Sequence, residues 1–425
     1  MQNIRYVKKS LLMTALSSTL FQPLYAAGFQ LNAQSATGLG RAFAGDAVIA
    51  DNASVMARNA AAMMLFKKTS LSLGLNLIKT DIQVKDATYN QQHIIAPGVG
   101  YRDSADYNNA GDTSYAPNIH LIVPIDERFA VGVNLYSNFG TKTEFNNTFV
   151  ASEYGGHTEL KTINLGLSGA YRLNSQWSFG AGLDVIYGEG KLKRNLNVYS
   201  PIDGSILQSK KVLDADIEGV GLGFNIGTVF ELDENNRFGL SYRYSPRVHG
   251  KGDVSYNGAE QHNDTVYVPL PDMAEFSGYH HIPQTQFAVH YSVQWIGWSA
   301  FDTLDSKEFA TINNYEWQDA MHFSLGATYY LNSKWTLRSG YMYDQSAQNK
   351  VTSVSVPDSD CQWFSAGVSY HIDENANVDF GATYLLGKDV KVNESTESDG
   401  VEISDLHATT HANAILLALQ YSQQF

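Results

Sequence analysis

From Lys67 onward the chain alternates apolar and polar residues with a period of two. Trp177, Phe179, Ala181, Leu183, Val185 and Tyr187 share one parity; Ser178, Gly180, Gly182 and Asp184 share the other. Phe287, Val289, Tyr291, Val293 and Trp295 alternate with Ala288, His290, Ser292 and Gln294, and Val378, Phe380, Ala382, Tyr384 and Leu386 with Asp379, Gly381 and Thr383. Period two places each set on one face of a sheet. Short connections fall at Pro124–Arg128, Leu173–Gln176, Asp233–Asn236, Ile282–Gln284, Asn332–Ser333 and Asp373–Asn375, and long ones at 79–116, 141–158, 189–219, 248–271, 302–315, 346–360 and 389–410. Six short turns and seven long loops join fourteen strands. The strands run about ten residues or more, enough for a tilted membrane span. Trp177, Tyr244, Trp335 and Tyr343 sit at strand ends, where interfacial aromatics gather. The chain alternates down to a terminal Phe425, with Gln423 interrupting the pattern. A soluble sandwich alternates as well, but strict short–long connections and an even strand count fit a barrel closed in lipid, which leaves no free edge. The reading is all-β: a 14-stranded antiparallel transmembrane β-barrel over residues 67–425, with Gly180, Gly182, Gly221, Gly223 and Gly227 leaving room in its lumen.

Two segments precede the barrel. Residues 1–26 carry Arg5, Lys8 and Lys9, then an apolar stretch from Leu11 to Phe21, then small residues around Ala26 and Ala27. This is the order of an export signal, with cleavage expected after Ala26. Residues 27–66 do not alternate. They are rich in small residues, carry turn signals at Gly38, Gly40 and Gly45, and offer a short helix over Ala53–Leu65. A barrel of fourteen strands is too wide for its own side chains to fill. The segment is therefore expected to be an N-terminal hatch inside the lumen rather than a periplasmic tail.

Composition narrows the class. Hydrophobic residues make up 44% of the 425 residues, yet mean hydropathy is −0.24 and charged residues are 17%. Beyond residue 26 there is no apolar run of the length a helical span needs. Cys361 is the single cysteine, so no disulfide frames the fold. After signal removal 26 basic residues face 43 acidic ones, a net charge of −17, which disfavours duplex nucleic acid as a partner.

The blocks AGFQL, SATGLGRAFAGDAVIADNASVMARN, PNIHLIVPID, YSNFGTKTEFN, LGLSGAYRLNSQWSFGAGLDVIY, FELDENNRFGLSYR and SLGATYYLNSKWTLRSG follow one another in this chain. Together they closely resemble FadL-type long-chain fatty acid transporters, over nearly the whole mature chain apart from the outer loops. The resemblance implies a fourteen-stranded barrel in the Gram-negative outer membrane, a hatch inside it, uptake of hydrophobic ligands, and sideways exit where the third strand kinks. A monomer without cofactor or metal is expected, with long-chain fatty acids or other hydrophobic molecules and outer-membrane lipid as its partners.

A fatty acid needs an apolar pocket and a cation for its carboxylate, because an unpaired buried charge is costly. Continuing the parity of the fifth strand turns Arg194 toward the lumen, while the plain alternative is a solvated charge beside Lys191 and Lys193. The resemblance assigns the carboxylate-binding arginine to Arg194, the polar serine of the head-group site to Ser137, and the aromatic that projects toward the pocket to Phe29. Parity along Phe129, Val131, Val133 and Leu135 puts Ser137 on the lipid face, so a kink or bulge is required to turn it inward. Gly140 falls where the family breaks its third strand. The second cation of the family has no counterpart at Asn313-Asn314-Tyr315, and Lys307 is the nearby substitute. The family's Asn-Pro-Ala turn beside the wall opening corresponds to Asn59-Ala60-Ala61, without the rigid proline.

Other constellations carry less. His407 and His411 are four apart but lack the Glu of a zinc-protease pair. Gly38-Leu39-Gly40 has no Gly-Lys-Ser/Thr and no βαβ unit, so it is no phosphate loop. No Ser–His motif suggests an enzyme. Four functions compete: a fatty acid channel, a channel for uncharged hydrophobic compounds such as aromatic hydrocarbons, a general porin, and a lipid-acting barrel enzyme. The head-group cation favours the first, and the hatch argues against the porin.

Overall fold

The apolar parity expected to face lipid is the exposed one. In the computed structural model, which describes residues 28–92, 99–398 and 400–425, Leu183 is 68% exposed and Leu222 71%, while Asp184 and Asn225, of the opposite parity on the same two strands, are buried. A protein surrounded by water shows the reverse. The polar face lies inside: Asn76, Asn118, His120, Asn164, Arg243, Glu275, His322, Arg338 and Asp379 are all buried. The expected export signal at residues 1–26 lies outside the described residues.

Fourteen strands form the ring. They are β1 (Ser70–Gln92), β2 (Thr113–Pro124), β3 (Phe129–Tyr136), β4 (His157–Arg172), β5 (Trp177–Tyr199), β6 (Ile206–Glu231), β7 (Asn236–Tyr244), β8 (Met273–His281), β9 (Phe287–Ile296), β10 (Ala320–Tyr330), β11 (Trp335–Asp344), β12 (Cys361–His371), β13 (Ala376–Gly387) and β14 (Val401–Gln424). Each pairs antiparallel with its neighbour, and β1 closes on β14 from Ser70↔Gln424 to Gln91↔Ser404. The terminal Phe425 N–H donates to the Thr69 carbonyl, 2.9 Å.

The tight turns share one device. The side-chain oxygens of Asp126, Asn174, Asp233, Asn332 and Asp373 each accept from the backbone N–H groups two and three residues on. A short acceptor on the first turn residue closes the turn without help from the rest of the fold. The long connections differ from the loops expected. Much of them is β-structure: Arg247–Tyr256 pairs with Ala259–Pro269, Thr303–Ser306 with Ala310–Asn314, Val390–Ser398 with β14, and β5 and β6 continue together to Tyr199↔Ile206. These outer stretches keep an apolar inward set, Val248, Val254, Val266 and Val268, but a register shift at Gly252–Val254 and polar residues toward the tip interrupt the alternation.

Residues 28–66 are bonded to inward-facing positions around the ring. Asn76 of β1 donates to the Ala33 carbonyl, 2.8 Å; the Ala36 N–H donates to Gln420 of β14, 3.1 Å; and the Gly45 N–H donates to Ser292 of β9, 3.0 Å. The Ala47 N–H donates to Ser277 of β8, 3.2 Å, and Asn59 donates to the Thr228 carbonyl of β6, 3.0 Å. Lumen glycines sit where this backbone touches the wall. A Cβ on Gly180 would lie 2.2 Å from the Ala61 nitrogen, and one on Gly340 would lie 2.1 Å from the Arg41 carbonyl oxygen. Ion pairs complete the attachment: Arg41 holds Asp46 at 2.6 Å and Asp51 at 2.8 Å, Arg338 of β11 reaches Asp51 at 3.3 Å, and Arg58 lies 3.5 Å from Glu275 of β8. Instead of one helix over Ala53–Leu65, two short 3-10 turns form, Ala53–Ala57 and Ala60–Leu65, capped by the side chains of Asn52 and Asn59.

Candidate functional site

The third strand breaks just after β3. Pairing to β4 runs to Tyr136↔Asn164 and resumes at Gly140↔Lys161, so three residues, Ser137, Asn138 and Phe139, oppose two, Thr162 and Ile163. One extra residue inverts parity. Before the break odd positions face out, as exposed Val131 and Val133 do; after it, Thr143 faces in and is buried. The parity conflict at Ser137 resolves here, since Ser137 is itself a bulged residue and is half-buried. On the other side, β2 pairs with β3 only from Ile119↔Leu135 to Pro124↔Ala130. Among the described residues, Thr113–Asn118 is paired to β1 alone. The wall is therefore open between β2 and the broken strand.

A cavity of about 600 Å³ fills that opening. Its lining joins lumen and lipid faces: Phe29, Leu31 and Trp363 are inside, whereas Leu135, Ile163 and Tyr187 are among the exposed apolar residues. Ser137, Phe139 and Gly140 line it as well. The N-terminal residues cover the broken edge through an isolated antiparallel bridge, Gln30↔Phe139. The Leu31 N–H donates to the Asn138 carbonyl, 2.7 Å, and the Gly140 N–H to the Phe29 carbonyl, 3.0 Å. Gly140 does not adopt a positive φ. A Cβ at this position would lie 2.9 Å from the Leu31 Cδ1, so a larger residue requires Leu31 to shift.

A second, narrower cavity of about 50 Å³ lies further out. Leu160, Leu192, Ala215, Ile217, Val266 and Val268 form much of its wall, and Phe301, Leu304, Ile312 and Val356 come from the outer connections. Phe29 lines both cavities and so stands between them. It is buried against Trp298, Phe301 and Trp317, with ring centroids 4.6, 5.2 and 5.5 Å away.

Arg194 sits at the rim of the narrow cavity through Thr158, which lines it. It lies beyond the membrane band, because the outward positions after Tyr187 on β5 are Glu189, Lys191 and Lys193. Its side chain is buried and donates to the Thr158 hydroxyl at 2.5 Å, the His157 carbonyl at 2.7 Å and the Lys193 carbonyl at 2.8 Å. No carboxylate among the described residues is within ion-pair distance. Burial lowers its pKa to about 10, with Tyr315 and Glu394 opposing from longer range.

The site residues expected from sequence are thus only partly brought together. Phe29, Ser137 and Gly140 share the wall cavity, and Arg194 stands at the other one. Asn59, Ala60 and Ala61 are not beside the opening: they pack against Gly180 of β5 and Gly227 and Thr228 of β6. Lys307 does not replace the missing cation, because it is exposed and paired with Glu308 at 3.1 Å. Reading the sequence missed Thr158, Tyr315 and the indoles of Trp298 and Trp317. Four aromatics plus Phe309 within residues 298–317 were the available signal.

Comparison with known proteins bears on the family and the fold. The sequence family described as Outer membrane protein transport protein (OMPP1/FadL/TodX) matches residues 18–425. The long-chain fatty acid transport protein of Salmonella typhi is 36% identical over 413 residues, covering 88% of this chain and 92% of that protein. Outer membrane protein P1 of Haemophilus influenzae is 34% identical, covering 93% and 95%. Among solved structures, a Pseudomonas aeruginosa FadL homologue superposes with a TM-score of 0.82 at 22% identity over 94% of this chain and all of that one. The Ralstonia pickettii toluene transporter TbuX gives 0.65 at 19% identity, covering 93% and 99%. The two solved structures share the fold.

Proposed function

Because the chain belongs to the OMPP1/FadL/TodX family of outer-membrane transport proteins, we propose that it takes up long-chain fatty acids across the outer membrane as a transporter and not an enzyme. The observation that carries this reading is Arg194, a buried cation with no described carboxylate in ion-pair distance, at the rim of an apolar pocket. An amphiphile with one anionic end satisfies both at once. Residues 28–66 act as the hatch that stops leakage through the lumen. The acyl chain enters the narrow pocket, Phe29 yields, and the ligand passes to the wall cavity and out between β2 and the broken third strand. The lining of that cavity supports the side route, since it runs from lumen residues to lipid-facing ones.

The second reading is uptake of uncharged hydrophobic compounds, favoured by the fold shared with toluene transporters. The burial of Arg194 speaks against it, because a hydrocarbon offers nothing for a buried guanidinium to pair with. Extraction of the purified barrel followed by mass spectrometry tests the choice. Fatty acids in roughly stoichiometric amount are expected. Neutral aromatics in their place would overturn the reading.

A further inference from the structure

Glu394 is carried by the outer strand Val390–Ser398, far from Arg194 in sequence. Its carboxylate accepts from the Ser353 hydroxyl at 2.8 Å and the Val354 N–H at 3.1 Å. That stretch roofs the narrow pocket. Val356 lines it, and the Ser355 carbonyl accepts from Thr143 at 2.6 Å. Thr143 lies directly across from Thr158, the partner of Arg194. A continuous bonded path therefore joins Arg194 to Glu394 around the head-group end of the pocket. The groups facing Glu394 are Arg194 on β5, Glu153 and Tyr154 on the connection before β4, and Tyr315 before β10. Glu153 is held elsewhere, accepting from the hydroxyls of Tyr89 at 2.7 Å and Ser404 at 2.8 Å. Glu394 is thus held by two neutral donors and makes no direct pair with Arg194, whose charge acts on it from longer range.

We propose that Glu394 is the resident counter-charge of Arg194, and that it takes up a proton from solvent when an anionic head group reaches the guanidinium. The proposal rests on the head-group reading of Arg194. Two carboxylates beside one buried cation cannot both remain ionised at low cost. The Glu394 carboxylate combines with a solvent proton to give the neutral acid, Arg194 keeps its proton throughout, and no other bond changes. Burial already raises the Glu394 pKa to about 7, and an added anion raises it further. Binding therefore absorbs protons, and affinity for a permanent anion falls as pH rises above about 7.

The probe is decyl sulfate below its micellar concentration, whose own charge does not titrate, with decanol as the neutral reference. The full mature barrel in non-ionic detergent is titrated calorimetrically in two buffers of different ionisation enthalpy. At pH 8 the wild type should absorb close to one proton, and affinity should fall up to about tenfold per pH unit above neutrality. Decanol should show neither effect. Glu394→Gln should absorb no proton, lose the pH slope and bind the sulfate more tightly than wild type at pH 8.5, whereas Glu153→Gln should keep the slope. Absence of proton uptake in the wild type overturns the proposal without any variant, as does a slope that survives Glu394→Gln or vanishes in Glu153→Gln. If Arg194→Ala weakens sulfate and decanol equally, the head-group reading falls and the coupling with it. If it weakens the sulfate alone while wild type absorbs no proton, the coupling alone falls.

Discussion

The N–H of Gly140 donates to the carbonyl of Phe29 at 3.0 Å, which makes the N-terminal residues the edge partner of the broken third strand. The aromatic that divides the two cavities and the glycine that restarts the strand are therefore bonded to each other. Anything that moves Phe29 acts on the wall opening, and anything that crowds Gly140 acts on the pocket.

Gly140→Val should loosen the N-terminal segment at its bridge to the broken strand. Its side chain must displace Leu31, because a Cβ at this position already lies 2.9 Å from Leu31 Cδ1. Overpacking of this kind costs about 1–3 kcal/mol. Leu31→Ala removes the clashing group, so the double variant should recover much of the loss. Fatty acid affinity measured across the four proteins of the cycle gives the coupling, with heat-modified gel mobility confirming a folded barrel. Strictly additive effects would show that Leu31 is not the neighbour Gly140 accommodates.

Arg194→Ala should weaken binding of a long-chain fatty acid by roughly 1.5–3 kcal/mol, the range for hydrogen bonds to charged groups. Binding of the matching fatty alcohol should change far less. Equal losses would mean that Arg194 serves to hold the His157 and Lys193 carbonyls, to which it donates at 2.7 and 2.8 Å, rather than a ligand.

The barrel was legible in the sequence because lipid imposes a uniform rule on every span. Leu183 and Asp184 differ in exposure as their parity predicts, and the turn acceptors Asn174 and Asp233 stand where the alternation stops. The outer hairpins were hidden because polar tips and the register shift at Gly252–Val254 interrupt an alternation whose buried residues, such as Val248 and Val266, are few. The extra residue at Ser137–Phe139 was visible only as a contradiction between the parity of Ser137 and its expected role. Long-range neighbours left no local trace. Glu394 joins Ser353, and Thr143 joins Ser355, through folding alone. The displacement of Asn59–Ala61 from the opening follows from Gly180 and Gly227, whose missing side chains admit that turn at β5 and β6.

Residues 28–66 should be what prevents leakage. Deleting residues 27–66 should give large, steady ion conductance in planar bilayers. Arg41→Met should give an intermediate result, because it leaves Asp46 and Asp51 short of their nearest cation, held at 2.6 and 2.8 Å in the intact protein. Breaking a buried pair by removing one partner costs about 3–5 kcal/mol. Frequent opening events are expected for Arg41→Met. Wild-type conductance in the deletion would show that the segment is not the plug.

The side route can be tested by filling it. Ser137 is half-buried and lines the wall cavity but not the narrow pocket. A bulky maleimide attached at Ser137→Cys should therefore obstruct the opening and leave the head-group end at Arg194 untouched. The background should carry Cys361→Ser, because Cys361 also lines that cavity. A label at Leu183→Cys, on the exposed face of β5, controls for bulk in the lipid. With labelling verified by mass, the Ser137 adduct should bind fatty acid with near-normal affinity yet import it slowly, and the Leu183 adduct should do both normally. The separation matters, because a ligand leaving downward past the hatch would never meet the adduct. Import at the unlabelled rate by a fully labelled Ser137→Cys barrel would sink the lateral route.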